Sequence, residues 1–191
     1  YFEENKLEIQ ILKFKSDSNN SLVTSRYYIL EENKMKISYW NENSFNKKYY
    51  YKNIYGGTSN YFTSKEKIEL IGGFNEKLKS AQDWDLALRL SEIGEVVICN
   101  KPLVYYENFN NQRRITTSYK STYEGHRDIY LIYVNKMNIS NRKKLLFEVL
   151  YYRSLINSGN SKRILFVLKT LFSTDFFFFV KSIFKYFKKI M

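Results

Sequence analysis

A pair of glycines followed closely by an acidic helix start is the feature that most constrains the fold of this chain. Residues 71–76 read Ile-Gly-Gly-Phe-Asn-Glu, and Gln-Asp-Trp-Asp begins at position 82. Glycine adopts the left-handed backbone conformation without a Cβ penalty, so Gly72 and Gly73 predict the end of one helix and a tight corner. Asp83 then lies at the start of the next helix, which places a carboxylate beside that corner.

Hydrophobic periodicity and turn residues divide the front of the chain into alternating helices and strands. Helices are predicted over 3–15, over 64–70 with Ser64 as the N-cap, and over 80–93 with Gly94 as the stop. Residues rich in β-formers predict a hairpin from 22–30 and 35–40, then extended pieces over 95–99 and 102–106. This alternation indicates the α/β class.

From Tyr119 onward the pattern is helical, with helices predicted near 119–136, 140–157, 161–172 and 175–189. The charge changes at the same place. Residues 1–118 hold 17 Lys and Arg against 15 Asp and Glu, whereas residues 119–191 hold 14 against 4. The formal charge of +12 therefore belongs mostly to the second part, and it predicts an anionic surface as a partner. We divide the chain into domains 1–118 and 119–191.

Composition narrows the class of protein. Aromatic residues make up 18% of the 191 positions, which excludes disorder as the general state, because disordered chains lack apolar surface to bury. Cys99 is the single cysteine, so an internal disulfide is excluded and a reducing, cytoplasmic location is expected. Its apolar neighbours predict a buried strand residue. Because the first residue is Tyr1, we expect a fragment of a longer protein.

The order of these elements resembles the second half of a family 2 glycosyltransferase with the GT-A fold. The matching segments are 56–59 (Gly-Gly-Thr-Ser), 71–76, 82–90, 96–99 and 102–106, within roughly residues 1–118. The block from 71 to 90 is the specific part. The resemblance implies a partial GT-A domain of the α/β class, followed by a C-terminal helical region. It also implies that the nucleotide-binding half, with the Asp-x-Asp that holds Mg²⁺ or Mn²⁺, lies upstream, and that no metal ligand lies in this chain.

The resemblance further implies inverting transfer of a sugar from a nucleotide sugar to a glycan or lipid-linked acceptor in surface polysaccharide synthesis. Asp83 would be the general base that takes the proton of the acceptor hydroxyl. We expect its carboxylate to stay ionised, because backbone N–H groups and the helix dipole favour the charged form. The isolated chain is expected to be inactive. Gln82 departs from the family pattern, which usually has Glu there.

Asp83 also has two structural interpretations. Ser80 and Asp83 fit a capping box, in which Ser80 caps the helix and Asp83 reaches back to it. Asp83-Trp84-Asp85 has the spacing of a metal-binding Asp-x-Asp, but it follows a polar segment and not an apolar strand. Asp85 lies four residues before Arg89, which favours a helical ion pair instead.

Further residues are candidates for substrate binding: Gly56, Gly57, Thr58, Gln82, Trp84, Arg113 and Arg114. Gly56, Gly57 and Thr58 would let the backbone approach a sugar, or they form an ordinary turn. Trp84 would stack on the acceptor sugar, or it is buried against the sheet. Arg113 and Arg114 would bind a phosphate, or they lie in a solvated basic loop. Phe74 is expected to fill the core.

The C-terminal segment predicts contact with a membrane surface. Lys181, Lys185 and Lys188 lie opposite apolar positions on a helix, which suits the plane of an anionic bilayer on the inner face of the cell membrane. Charged residues interrupt 164–180, which argues against a membrane span. A helical subdomain packed on the front half is the alternative. A non-catalytic membrane-associated module is the alternative function, and no nucleic-acid partner is expected, because no recognised module is present.

Overall fold

A computed structural model describes residues 1–38, 49–107 and 118–156. Within these ranges the chain is a mixed α/β protein. Its helices and strands are α1 (Lys6–Lys15), β1 (Asn20–Glu31), β2 (Lys34–Ile37), α2 (Lys65–Leu70), α3 (Gln82–Ile93), β3 (Glu95–Glu107), α4 (Tyr119–Tyr133) and α5 (Ile139–Ile156). The helices predicted over 161–172 and 175–189, and the basic face around Lys181, lie outside the described residues.

The chain divides into two compact units. The first comprises Tyr1–Tyr49 and Asn53–Arg114, and the second comprises Tyr50–Lys52 and Ile115–Met191. The first unit therefore contains the sheet with α1, α2 and α3, and the second contains α4 and α5. No helix in the described ranges is both long and apolar enough to cross a bilayer.

The described residues of the first unit form a three-stranded sheet in the order β2-β1-β3. The hairpin forms as predicted, with Glu31 opposite Lys34 across an antiparallel pair. β1 pairs with β3 in parallel, from Asn20 opposite Glu95 to Leu30 opposite Glu107. The two extended pieces predicted for 95–106 form one strand, because a register shift at Arg26 accommodates Pro102, which has no N–H to donate.

In the first unit, both α1 and α3 pack on β1 and β3. Val23 of β1 and Leu103 of β3 belong to a buried cluster against which Ile9 and Phe14 of α1 pack. Leu22 of β1 is also buried, as are Leu88 and Leu90 of α3. Burial of these apolar side chains supplies the main favourable free energy for docking the helices on the sheet. Cys99 is buried in β3, as the sequence predicts.

The ends of α2 also follow the sequence. Ser64 caps the helix, since its side chain accepts a hydrogen bond from the backbone N–H of Lys67 at 3.3 Å. Gly72 and Gly73 follow the helix with φ values of 76° and 71°, both left-handed. The prediction for Phe74 is wrong, because its side chain is 49% exposed. Two successive left-handed residues turn the chain outward at this corner and carry Phe74 away from the core.

The start of α3 differs from the prediction. The helix begins at Gln82, and its N-cap is Ala81, with φ 61° and no side-chain cap hydrogen bond. The capping-box interpretation, with Ser80 as N-cap, is therefore wrong. A left-handed non-glycine residue costs roughly 1–2 kcal/mol, so tertiary packing of α3 must offset the strain at Ala81.

In the second unit, α4 and α5 pack on each other and match the helices predicted over 119–136 and 140–157. Ser118 caps α4 by accepting a hydrogen bond from Ser121 N–H at 3.3 Å. The segment Tyr50–Lys52 belongs to this unit. Its Tyr50 ring lies 5.4 Å from the ring of Tyr133, centroid to centroid, and both side chains are buried.

Candidate functional site

The carboxylate of Asp83 lies in the first turn of α3, half-buried. Its Oδ1 accepts a hydrogen bond from the backbone N–H of Trp84 at 2.7 Å. Its Oδ2 lies 3.5 Å from Nδ2 of Asn53. Among residues 1–38, 49–107 and 118–156, the two oxygens are therefore held differently, because a short bond fixes Oδ1 whereas the side-chain contact to Oδ2 is long.

The two glycines of the predicted binding turn lie next to this carboxylate. Gly56 is left-handed, with φ 84°. Gly57 has an ordinary extended backbone, and a Cβ added to it would lie 3.8 Å from Asp83 Oδ2. Thr58 opens the short 3₁₀ turn that follows. The fold thus brings Gly57 and Asp83 together, although they are far apart in the sequence.

Two residues of this site, Asn53 and Tyr61, were not predicted. The Tyr61 hydroxyl donates to the backbone carbonyl of Gly56 at 2.8 Å and lies 3.4 Å from the carbonyl oxygen of Asp83. Asn53 Oδ1 accepts from Tyr55 N–H at 3.0 Å, and Nδ2 donates to Gly56 O at 3.1 Å. The sequence signal for Asn53 is the Asx turn that asparagine favours shortly before a glycine. No local pattern identifies Tyr61.

Burial governs the electrostatics of the site. It raises the pKa of Asp83, and hydrogen bonds from the Trp84 N–H and its own N–H oppose the shift without cancelling it. The backbone N–H groups of the helix start favour the charged form, as expected, but burial outweighs them, so the net shift of the Asp83 pKa is upward. The pKa of Tyr61 lies well above its usual value, first because the hydroxyl is buried and then because Asp83 lies nearby. Tyr61 therefore remains a hydrogen-bond donor at neutral pH.

The other predicted binding residues have different positions. Trp84 is 2% exposed, and its Nε1 donates to the carbonyl of Tyr49 at 3.3 Å. The Trp84 ring is buried in the core, so neither of its faces is exposed for the predicted stacking on a sugar. Gln82 donates through Nε2 to the carbonyl of Leu78 at 2.9 Å, within the turn that precedes α3. Arg113 and Arg114 lie outside the described residues.

Asp85 and Arg89 form the predicted ion pair, at 2.7 Å, with the Asp85 side chain buried. Arg89 Nη1 also donates to the carbonyls of Ile71 at 2.8 Å and Gly73 at 2.6 Å. One guanidinium thus fastens α3 to the glycine corner. The carboxylate of Asp85 is engaged by this arginine and does not form a metal-binding pair with Asp83.

The described residues contain no group of three or more His, Cys, Asp or Glu side chains placed to hold a metal ion. What they offer is a carboxylate of raised pKa, fixed by its surroundings and bordered by a glycine. No protein-family model matches the chain, and neither does any curated protein.

Proposed function

We propose that the chain is the acceptor-side part of a family 2 glycosyltransferase with the GT-A fold, with Asp83 as its general base. The observation that carries this proposal is the environment of the carboxylate: half-buried, raised in pKa, and flanked by Gly57, whose missing side chain leaves space beside Oδ2. A buried carboxylate with a raised pKa is a better proton acceptor than a solvated one.

In this mechanism the hydroxyl oxygen of the acceptor attacks the anomeric carbon of the donor sugar. The bond from that carbon to the nucleotide diphosphate breaks, and the diphosphate leaves with the electron pair. Oδ2 of Asp83 takes the hydroxyl proton as the new bond forms. Oδ1, held by the Trp84 N–H, keeps the carboxylate from rotating during the transfer. Attack from the face opposite the leaving group inverts the anomeric configuration.

The turn at Gly56 and Gly57 is consistent with an acceptor hydroxyl on a bulky molecule, such as a glycan or a lipid-linked sugar. Gly57 borders Oδ2 without a side chain, and Gly56 adopts a conformation that other residues rarely take. The turn is also braced by Tyr61, which donates to the Gly56 carbonyl at 2.8 Å. Such a turn allows the acceptor to approach the base closely while the backbone stays fixed.

The test is a transfer assay on a polypeptide that joins this chain to the nucleotide-binding half that the proposal requires, with a panel of nucleotide sugars and mass detection of the glycosylated product. Asp83→Asn preserves the shape and the Oδ1 acceptor but removes the base. We expect transfer to fall by about 10²- to 10⁴-fold.

The matched control is Asp17→Asn, because Asp17 also accepts a backbone hydrogen bond, from Asn19 N–H at 2.8 Å, but is exposed. This variant should transfer sugar like the parent. Undiminished transfer by Asp83→Asn, or no transfer by the parent from any nucleotide sugar, would refute the proposal.

A further inference from the structure

The side-chain amide of Asn53 has a fixed orientation. Its oxygen accepts from Tyr55 N–H at 3.0 Å, and its nitrogen donates to the carbonyl of Gly56 at 3.1 Å. A flipped amide would set its oxygen against the Gly56 carbonyl and its nitrogen against the Tyr55 N–H, so both contacts would become repulsive. The second hydrogen of Nδ2 is thereby left for another acceptor.

That acceptor is Oδ2 of Asp83, 3.5 Å from Nδ2. Among the described residues, Asn53 is the side chain that donates to this carboxylate, while the Trp84 N–H bonds the other oxygen. In the part of the chain that the structure describes, Tyr61 is a titratable neighbour of Asp83, and its hydroxyl points to the main-chain oxygens of Gly56 and Asp83. A backbone N–H of its own helix thus bonds Oδ1, and the Asn53 amide, from the loop that also contains Gly56 and Gly57, contacts Oδ2.

We propose that Asn53 is a positioning residue, which aims Oδ2 of Asp83 at the acceptor hydroxyl. This inference rests on the proposed function. Within the described part of the chain, Oδ2 has one side-chain donor at a long distance, which leaves a lone pair for the incoming proton, whereas a second short bond would occupy it. Hydrogen bonds of catalytic groups are often long without substrate and tighten in the reacting complex. An amide N–H that faces a carboxylate favours its charged form. The contact of Asn53 with Oδ2 therefore opposes the desolvation that raises the pKa of Asp83.

The first experiment measures the pKa of Asp83 in the 191-residue chain by NMR, with ¹³C in the aspartate carboxyl groups. The chain has few aspartates, and Asp83→Asn identifies the signal of interest. In Asn53→Ala we expect the pKa of Asp83 to move further upward, because the charged form loses its side-chain donor. Asn53→Ser is the second variant, since its hydroxyl can still accept from Tyr55 N–H but cannot reach Asp83.

The matched control is Asn75→Ala. Asn75 makes the same kind of turn, with Oδ1 accepting from Lys77 N–H at 3.2 Å. Loss of this turn should leave the pKa of Asp83 unchanged. If the pKa of Asp83 stays at the parent value in both Asn53 variants, the positioning role is overturned.

The second experiment is the transfer assay across pH. In Asn53→Ser we expect kcat to fall about ten- to a hundred-fold, as for a misplaced catalytic group, and the acidic limb of the profile to move to higher pH. An unshifted acidic limb with parental kcat would overturn the positioning role. The two proposals can be refuted separately. Undiminished transfer by Asp83→Asn refutes the role of Asp83 as general base, whereas an unchanged Asp83 pKa in the Asn53 variants refutes only the positioning role of Asn53.

Discussion

At the residue scale, the two glycines of the binding turn serve different purposes. Gly56 is required by conformation, since its φ of 84° is one that residues with a Cβ rarely adopt. Gly57 is required by space, because its φ of −96° suits any residue but its missing side chain lies beside Oδ2 of Asp83. One position thus affects stability and the other affects access to the base.

Gly57→Ala should fold normally, because an added Cβ would meet Asp83 Oδ2 at an ordinary contact distance of 3.8 Å. Alanine restricts the unfolded chain more than glycine does, so the free energy of unfolding should rise by up to about 1 kcal/mol. We expect sugar transfer to fall roughly tenfold or more, because the methyl group occupies the approach to the base. Urea unfolding and kcat/KM check the two effects.

Gly56→Ala is the counterpart, and its left-handed backbone should cost about 1–2 kcal/mol of stability. Equal losses of stability in the two variants would contradict the distinct roles given to Gly56 and Gly57.

The raised pKa of Asp83 makes the stability of the protein depend on pH. The folded state binds the proton more tightly than the unfolded state, where the pKa has its ordinary value of 3.8. As the pH rises from that value through the folded pKa, the folded state loses this advantage, so the free energy of unfolding falls. Above the folded pKa the loss is complete.

Asp83→Asn should remove this component. We expect the difference in unfolding free energy between the parent and the variant to decline with rising pH over that window, as measured by urea unfolding at several pH values. Asp17→Asn should leave the decline in place. A difference that grows with pH would mean that the pKa of Asp83 is lowered in the folded state.

At the scale of elements, α3 owes its position to a single arginine as well as to its apolar side chains. Arg89 bonds Asp85 on its own helix and two carbonyls of the glycine corner, Ile71 and Gly73. The corner and the helix start that carries Asp83 are therefore held as one assembly.

Arg89→Lys should lower the free energy of unfolding by about 1–3 kcal/mol, because an ammonium cannot reproduce the planar guanidinium, which bonds Asp85 through Nε and the two carbonyls through Nη1. Arg89→Ala should cost more, roughly 3–5 kcal/mol, since Asp85 would be left as an unpaired buried charge. Chemical denaturation measures both.

The matched control is Lys65→Ala, which breaks an exposed pair with Glu69 at the same helical spacing, 3.5 Å apart. Such a pair contributes about 0.3–0.5 kcal/mol. A loss in Arg89→Lys no larger than in this control would contradict the role of the arginine at the corner.

Features of local origin were predictable from the sequence. The cap at Ser64, the glycine corner and the long helices near Tyr119 and Ile139 follow from side-chain chemistry within a few residues. The sequence predicted two extended pieces separated at Pro102. They form one strand because the pairing with β1 has a register shift that accommodates the proline, and this shift has no local sequence signal.

The features that were missed depend on tertiary contacts. The left-handed Ala81 is held by the packing of its helix and not by any local preference of alanine. Asn53 and Tyr61 enter the site through a loop that is distant from Asp83 in the sequence. The net direction of the Asp83 pKa shift depends on burial, and the extent of burial cannot be obtained from the position of a residue at a helix start.

At the scale of the whole molecule, the chain enters the second unit twice. Tyr50–Lys52 belongs with α4 and α5, while the residues on either side of it, Tyr49 and Asn53, belong with the sheet. The division at 118 and 119 predicted from the sequence places this short segment with the front of the chain, whereas its contacts group it with α4 and α5. Its aromatic rings contact α4 and α5 of the same unit: the Tyr50 ring lies 5.4 Å from that of Tyr133, and Lys144 Nζ lies 4.9 Å from the ring centroid of Tyr51.

A double-mutant cycle tests this assignment. Tyr50→Leu and Tyr133→Leu should show a coupling free energy of about 0.5–1.5 kcal/mol, the range found for aromatic pairs. Thermal or urea unfolding of the full chain supplies the four values. Tyr50→Leu combined with Leu131→Ala, an exposed position on α4, should instead be additive. Additivity in the Tyr50 and Tyr133 cycle would show that the rings do not stabilise each other.

The parallel pairing of β1 with β3 has a consequence during translation. β1 and β2 are synthesised together, whereas β3, the strand that pairs with the other side of β1, is synthesised only after α2 and α3. Two-stranded hairpins are marginal in water, and an uncovered strand edge invites pairing with other chains. The nascent polypeptide should therefore depend most on chaperones before residue Glu107 has emerged, and a stalled chain that ends ahead of β3 should aggregate.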